Sequence, residues 1–473
     1  MPADAQADGL YVLSDLHLAP PGEQSVFAAH APLVALLDEI AASPSPQWLV
    51  LNGDVFDFLQ IPGYEQLSLP LAPQRMAGLL DALAAEPRER NVVQALQRLT
   101  AAGHTLCCLP GNHDAELNLF SVQQVLAQRI GSSQVLPAAA GVWRLEVTGR
   151  RVVGVHGHHD DAFNAIGGDT LLRAQSDGDA TAKMPPGSRL VCEVINPYRR
   201  AKTADGTPRF PFVDLLPSDR AVVLALLLLD PVLACKRLRA ALGISADALV
   251  RMILMRTGIA GSMLRGAPAA PLAGQAAPPT RSEPPEAAWL AALAGDIAEA
   301  MTPADRAAEA MLARQMEAYF SVQTPAVTRS ADLLAPADGM VRRLLWRALG
   351  SALEAARDAL RPQVPDELAR QVMAGWGREV VAITGHTHAA KTIPTAAGGT
   401  YINTGTWLDL VPMPASTSVA EVQAWLAKLQ RNEVPRWQGC PVARVDADGA
   451  RLLQWTGTAL RPWACRTDPG GCV

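Results

Sequence analysis

Five short apolar runs, each breaking off at a cluster of metal-competent residues, constrain this chain more than any other feature. Leu10–Leu13 precedes Ser-Asp-Leu-His, Trp48–Leu51 precedes Asn-Gly-Asp-Val-Phe-Asp, and Leu106–Leu109 precedes Pro-Gly-Asn-His-Asp. Val152–Val155 precedes His-Gly-His-His-Asp, and Val380–Ile383 precedes Thr-Gly-His-Thr-His. Short β-compatible runs followed by glycine-rich turns predict buried strands. Helical patterns at Phe27–Ala42 and Asn91–Ala102 separate the early runs. Alternation of strand and helix predicts an α/β architecture. In such sheets, ligands gather in a crevice at the carboxyl ends of the strands.

The 473 residues suffice for two or three domains, or for one domain with a large insertion. A net charge of −5 argues against a protein that coats nucleic acid indiscriminately, while leaving room for a local basic groove. Seven cysteines occur without a CxxC, which predicts reduced, buried thiols rather than a disulfide framework or a cysteine-ligated zinc. The amino terminus lacks a basic segment followed by an apolar core, so a cytoplasmic location without a signal peptide is expected. The most apolar run, Ala221–Leu229, is far short of the ~20 residues that span a bilayer and is read as a buried helix.

Between about residues 166 and 375 the pattern turns helical. Helices are expected at Ser188–Arg200, Asp219–Leu229, Ala246–Arg256, Pro303–Tyr319, Gly339–Leu360 and Pro365–Ala374, with Thr302 as an N-cap. This stretch reads as a helical insertion between the fourth and fifth ligand-bearing strands. Within it, 261–288 is rich in Pro, Ala and Gly and reads as a linker. Downstream, Val419–Arg431 has a helical pattern. Val442–Val445 and Leu452–Trp455 read as strands of a hairpin turned by Asp446-Ala-Asp-Gly449.

The chemistry lies in the clusters. Asp15 and His17 are two apart, so both face one way if the chain is extended there. Asp54 has two oxygens with which to bridge two cations. Asn112 offers an amide oxygen, and His156, His386 and His388 offer imidazole nitrogens. This mixture suits Mn, Fe, Zn or Co better than Ca or Mg. Seven of the nine histidines fall within the motifs. The residues alone do not decide between His156 and His158, which face the same way in an extended chain. Outside the motifs, His30 and His104 read as surface residues. Arg189, Arg199, Arg200 and Lys202 read as a solvated helix face, the competing reading being a phosphate clamp. Lys236, Arg237 and Arg239 follow the apolar run, so peripheral contact with a membrane is the alternative to ordinary packing there.

DLH, GDVFD, GNHD, HG and GHTH occur once each and in this order, and the set resembles the calcineurin-like metallophosphoesterases. The resemblance covers about 1–165 and 376–460, and Asn403-Thr404-Gly405-Thr406-Trp407 is similar to the segment that follows the last histidine pair in that family. It implies an α/β fold in which a double β-sheet sandwich, flanked by helices, carries two divalent metals at one edge, with Mn2+ the first choice. The helical insertion at 166–375 and a tail at 461–473 lie outside the resemblance. One metal would take Asp15, His17, Asp54 and His388, and the other Asp54, Asn112, His156 and His386. His113 would face the phosphate and Asp114 would orient it. The implied reaction is hydrolysis of a phosphodiester or pyrophosphate by a metal-bridging hydroxide. Asp57 is expected to support Asp54 from behind. His158, Asp160, Asn164 and Arg189 are candidates for substrate contacts, and His159 for a structural role.

Within the family, DLHL, GDVFD and GNHD look closest to the branch containing UDP-2,3-diacylglucosamine pyrophosphatase, which implies a nucleotide- or lipid-linked phosphate ester. The chain departs from that branch in the length of its insertion, in HGHHDD where HGD is usual, and in Ala-Ala-Lys after GHTH. A nuclease or cyclic-nucleotide phosphodiesterase is the alternative. A catalytically silent scaffold is the reading from another class, and it sits poorly with a complete ligand set.

Overall fold

The computed structural model describes residues 6–22, 25–131, 133–135, 141–242, 330–375, 380–395, 398–463, 467–468 and 471–472. Its strands follow directly from side-chain alternation. In Gly9–Leu13 and Gln47–Asn52, the even-numbered Leu10, Val12, Trp48 and Val50 belong to one core, while Tyr11, Leu13, Leu49 and Leu51 belong to another. Period-two alternation lets a strand that is apolar throughout bury both faces.

Seven strands form one sheet, in the order Leu460–Pro462, Gly449–Trp455, Pro441–Asp446, Gly9–Leu13, Gln47–Asn52, Thr105–Leu109, Ser133–Val135. Six form a second, in the order Gln6–Ala7, Val142–Val147, Arg150–Val155, Val380–Thr384, Thr400–Asn403, Lys391–Pro394. Gly9–Leu13, Gln47–Asn52 and Thr105–Leu109 run parallel, as do Arg150–Val155, Val380–Thr384 and Thr400–Asn403. Parallel strands place their carboxyl ends at a common edge, and the motif residues follow those ends. The inner core joins the sheets, with Leu10, Val12, Val50 and Cys107 against Trp143, Leu145, Val152 and Ile383.

Helices cover both outer faces. His30–Ala41 buries His30, Leu33, Leu37 and Ile40, a stripe at helical spacing. It starts at His30 rather than Phe27 because Pro32 lacks an N–H and is tolerated only in the first turn. Val92–Ala101 is capped by Asn91, whose side chain accepts from Gln94 N at 2.9 Å. On the other face, Glu367–Gly375 packs Leu368, Ala369 and Val372 against Val155, Ala382, Ile393 and Tyr401. The result is an α/β fold of two sheets between helical layers, as expected from the sequence.

Lys391 ties the edge strand of the six-stranded sheet to the chain before that helix. It is fully buried, pairs with Asp366 at 2.8 Å, and donates to Ala359 O and Val364 O. Asp366 in turn accepts from Ala369 N in the helix's first turn.

The described chain divides into two compact units. One comprises Met1–Leu215, Arg357–Met413 and Val434–Val473, and the other Leu216–Ala356 and Pro414–Glu433. The second unit contains Asp219–Leu229, buried from Ala221 through Leu228 and capped by Ser218. It also holds Pro231–Leu242, most of Ser330–Leu360, and Val419–Gln430. The segments Ala246–Arg256, Pro303–Tyr319 and 261–288, together with the Thr302 cap, lie outside the described residues. No described helix is long and apolar enough to cross a membrane.

Several expectations need correction. His30 and His104 are buried, not on the surface. His104 Nδ1 accepts from Gln47 N at 3.1 Å, and the His30 ring packs edge-on against Phe27. Arg199 belongs to no solvated face: it is largely buried against Asp214, which neutralises it. Arg189 pairs along its own helical segment with Glu193 at 3.5 Å. Among the described residues Cys107, Cys108, Cys192 and Cys440 form no disulfide, and burial pushes the thiols of Cys107, Cys192 and Cys440 up to about 12.

Candidate metal centre

The loops after five parallel strands bring Asp15, His17, Asp54, Asn112, His113, His156, His386 and His388 to one edge of the sandwich. Three sets of donors lie within 4.8 Å of one another: Asp15, His17 and His388; His17, Asp54 and His113; and Asp54, His156 and His386. His17 Nε2 stands 3.2 Å from His388 Nε2, which is 3.3 Å from Asp15 Oδ1. His156 Nε2 stands 3.3 Å from Asp54 Oδ2.

The convergence does not use extended backbone. Asp15, His17, Asp54, His386 and His388 all have left-handed φ between 51° and 68°. Such a conformation costs a residue with a Cβ about 1–2 kcal/mol. Five instances at one edge mark a segment held by its surroundings. The holding contacts are visible. Asp15 N donates to Gly53 O and His17 N to Asp54 O. His386 N donates to both oxygens of Asp15 at 3.0–3.1 Å, and His113 N donates to Asp54 Oδ1 at 2.8 Å. A Cβ at Gly111 would collide with Asp54, and one at Gly385 with Ser14 and Asp15. Those glycines are where the loops touch.

The Asn403–Trp407 segment braces the same edge. Asn403 Nδ2 donates to Gly385 O and Thr387 Oγ1, Thr404 Oγ1 lies 2.5 Å from Ser14 Oγ, and Thr406 Oγ1 donates to Asp15 O. Asn52 is a brace that the sequence reading passed over. Its side chain donates to Val155 O and accepts from Trp143 Nε1, stapling the two sheets. Its carbonyl, 2.8 Å away, accepts from His156 Nδ1. The available signal was a buried Asn ending an otherwise apolar strand.

Two supporting roles differ from expectation. Asp114 makes no hydrogen bond to His113 among the described residues. Its fully buried carboxylate accepts from the backbone N–H groups of Gly111, Asp54, Val55 and Phe56. Asp57 does not brace Asp54. Its Oδ2 stands 3.0 Å from His17 Nδ1 and 3.0 Å from His113 Nδ1. Sequence spacing could not foresee this, because the loop after Asn112 folds back across the loop after Asp54.

Electrostatics separates the imidazoles. Burial lowers His113, but the Asp57 and Asp54 carboxylates outweigh it and raise the ring to about 10. Burial also lowers His156, and Asp54 with Asp15 raises it to about 9. Burial and the His113 charge push His17 down, leaving it a neutral ring with a lone pair to offer. Burial pushes Asp54 upward, yet His156 and His113 hold it well below the usual carboxylate range.

These residues fit divalent cations. Asn112 Oδ1 is buried with no hydrogen-bond partner among the described residues. With Nδ1–H of His156 given to Asn52 O, its Nε2 aims a lone pair at the Asp54 carboxylate, an arrangement that calls for a proton or a cation between them.

The other named residues sit around this edge. His158 is buried, with Nε2 3.1 Å from Ile166 O, and His159 stacks on it at 3.9 Å. Asp160 is exposed. Asn164 binds Asp161, and Asp161, which the sequence reading missed, reaches His386 Nε2 at 3.1 Å.

A family model described as calcineurin-like phosphoesterase matches residues 10–191. That match supports the superfamily for this part of the chain. No curated protein matches. The match and the His/Asp donor sets together support a metal-dependent phosphoesterase.

Proposed function

We propose that the chain is a dinuclear-metal phosphoesterase that hydrolyses a phosphodiester or pyrophosphate bond. The observation that carries this reading is the position of Asp54, which shares donor sets with His17 and His113 on one hand and with His156 and His386 on the other. One cation would be held by Asp15, His17, Asp54 and His388, and the second by Asp54, Asn112, His156 and His386. Two such ions supply Lewis acidity toward phosphate oxygens and make water nucleophilic at neutral pH.

The chain's own residues do the rest. Asp15 and Asp54 supply two negative charges against four positive ones, so the edge favours an anionic phosphate. Asp57 takes Nδ1 of His113, leaving Nε2 to hand a proton to the leaving oxygen. In the metal-free chain the Asp57 and Asp54 carboxylates outweigh burial and favour the protonated ring.

Substrate choice is assigned to the neighbours of His156 and to the helical residues after 166. Support comes from Pro186–Arg199, where a π-helical turn at Val191–Ile195 lies beside Phe58–Gln60 and Asn196 Nδ2 donates to Leu59 O. The likeness of DLHL, GDVFD and GNHD to the diacylglucosamine pyrophosphatase branch makes a nucleotide- or lipid-linked diphosphate the first substrate to try.

The test is a panel in Mn2+: bis(p-nitrophenyl) phosphate, a UDP-linked lipid, single-stranded DNA, RNA and cyclic nucleotides. Hydrolysis of the generic diester is expected, and Asp54→Asn should abolish it and lower metal content. Full turnover with two metals retained in that variant would sink the assignment. Preference for nucleic acid or cyclic nucleotides would move the chain to the nuclease or cyclic-nucleotide branch. No turnover by loaded protein would favour a scaffold.

A further inference from the structure

His386 lies at the metal-binding edge, in one donor set with Asp54 and His156. Nε2 stands 3.1 Å from Asp161 Oδ2, a partner 225 residues away in sequence. The carboxylate is held in place from two further sides: Oδ1 accepts from Phe163 N at 2.9 Å, and Oδ2 accepts from Asn164 Nδ2 at 2.7 Å. Asp161 O accepts from Asn164 N and Ala165 N, so the acid heads a tight turn. The backbone of His386 is anchored independently, because its N–H donates to Asp15. Gly157 lets the two loops approach: a Cβ there would meet the Leu368 side chain and stand 3.5 Å from His386 Cβ.

We propose that Asp161 is a positioning residue that binds the Nε2–H of His386 and leaves Nδ1 as the atom His386 offers to a cation. The inference rests on the dinuclear reading above and adds a residue to it. An imidazole can give a lone pair from one nitrogen only when the proton sits on the other. A carboxylate on that N–H fixes the tautomer, holds the ring plane and raises the basicity of the ligating nitrogen. Asp161 belongs to none of the three donor sets, of which one includes His386. The second aspartate of HGHHDD thus acquires a role that neither spacing nor motif assigned.

The test uses the full chain, stripped of metal and titrated with Zn2+ by calorimetry, with Asp161→Ala and Asp161→Asn beside wild type. Wild type should bind two ions. Asp161→Ala should bind one of them roughly 10- to 100-fold more weakly. Asp161→Asn keeps one oxygen that can accept from the imidazole but turns its NH2 toward Phe163 N, so it should recover only part of that loss. Long-range 1H–15N spectra of histidine-labelled, zinc-loaded wild type should show His386 protonated at Nε2 and metallated at Nδ1. Metallation at Nε2 overturns the inference, as does a folded Asp161→Ala protein that holds both ions as tightly as wild type. Should Asp161→Ala fail to fold, the wild-type spectrum and Asp161→Asn decide. A wild-type chain that binds no zinc overturns the dinuclear reading itself, whereas two ions held equally by every variant overturn this inference alone.

Discussion

Replacing Asp114 by alanine separates two roles that sequence position confuses. The carboxylate accepts four backbone N–H groups, from Gly111 at 2.5 Å, Asp54 at 3.2 Å, Val55 at 2.8 Å and Phe56 at 3.1 Å, in a fully buried setting. Alanine leaves a polar void that one water can enter, and a buried water makes about three hydrogen bonds. A water oxygen accepts only two N–H bonds, so two donors remain unpaired at about 1–3 kcal/mol each, and holding the water costs up to about 2 kcal/mol. Burial and the neighbouring Asp54 raise the Asp114 carboxyl, so removing it also relieves a strained charge, which sets the lower end of the range. The expected loss is about 2–8 kcal/mol, a large share of a typical stability of about 5–15 kcal/mol. Those N–H groups belong to the loop that carries Asp54, so metal content should fall together with stability. Asp114→Asn should recover only part of the loss, because its amide turns an NH2 toward two of the donors.

Urea unfolding of the metal-free protein, elemental analysis after loading and turnover of bis(p-nitrophenyl) phosphate measure the three consequences. His113→Ala is the control. If Asp114→Ala unfolds like wild type, holds two metals and loses only turnover, as expected of His113→Ala, then Asp114 serves His113 and the backbone-clamp reasoning is wrong.

Three further outcomes can be stated. His113→Ala should keep both metals and slow turnover of a poor leaving group by roughly 10²-fold or more; unchanged turnover removes it as the acid. Glu116 is buried and receives the Tyr64 hydroxyl, and its carboxyl is pushed up to about 7, chiefly by burial. A folded value above the unfolded one means that its contribution to stability is complete below about 4.5 and lost as pH rises through about 7, a swing of about 3 kcal/mol. Glu116→Gln should therefore gain on wild type by about that much between pH 4.5 and pH 8 in urea unfolding, and a pH-independent difference would count against the buried acid. Lys391→Ala should cost about 3–5 kcal/mol, because it leaves Asp366 buried without its cation; Lys391→Met with Asp366→Asn should recover much of it in the same assay.

The sequence by itself determined what is local. Apolar runs marked the strands ending at Leu13, Asn52, Leu109, Val155 and Thr384, because a doubly buried strand must be apolar throughout. Helical patterns at Asn91–Ala102, Asp219–Leu229 and Val419–Arg431 marked helices, and Asp446 to Gly449 announced a hairpin, because periodicity and turn chemistry act over short stretches of chain. The donor types at the strand ends were legible for the same reason.

Only the tertiary structure decided which groups serve which. Asp57 turns to His17 and His113 rather than to Asp54, Asp114 clamps the Asp54 loop rather than His113, and Asp161 finds His386 across 225 residues of chain. Sequence also gave no warning that five of the edge residues adopt left-handed backbone, since extended chain was the natural expectation for Asp15 and His17. Covalent neighbours set a residue's secondary structure, but a hydrogen-bond partner is whatever the packing of separate loops leaves within about 3 Å, and that is fixed only when both sheets and their loops are in place.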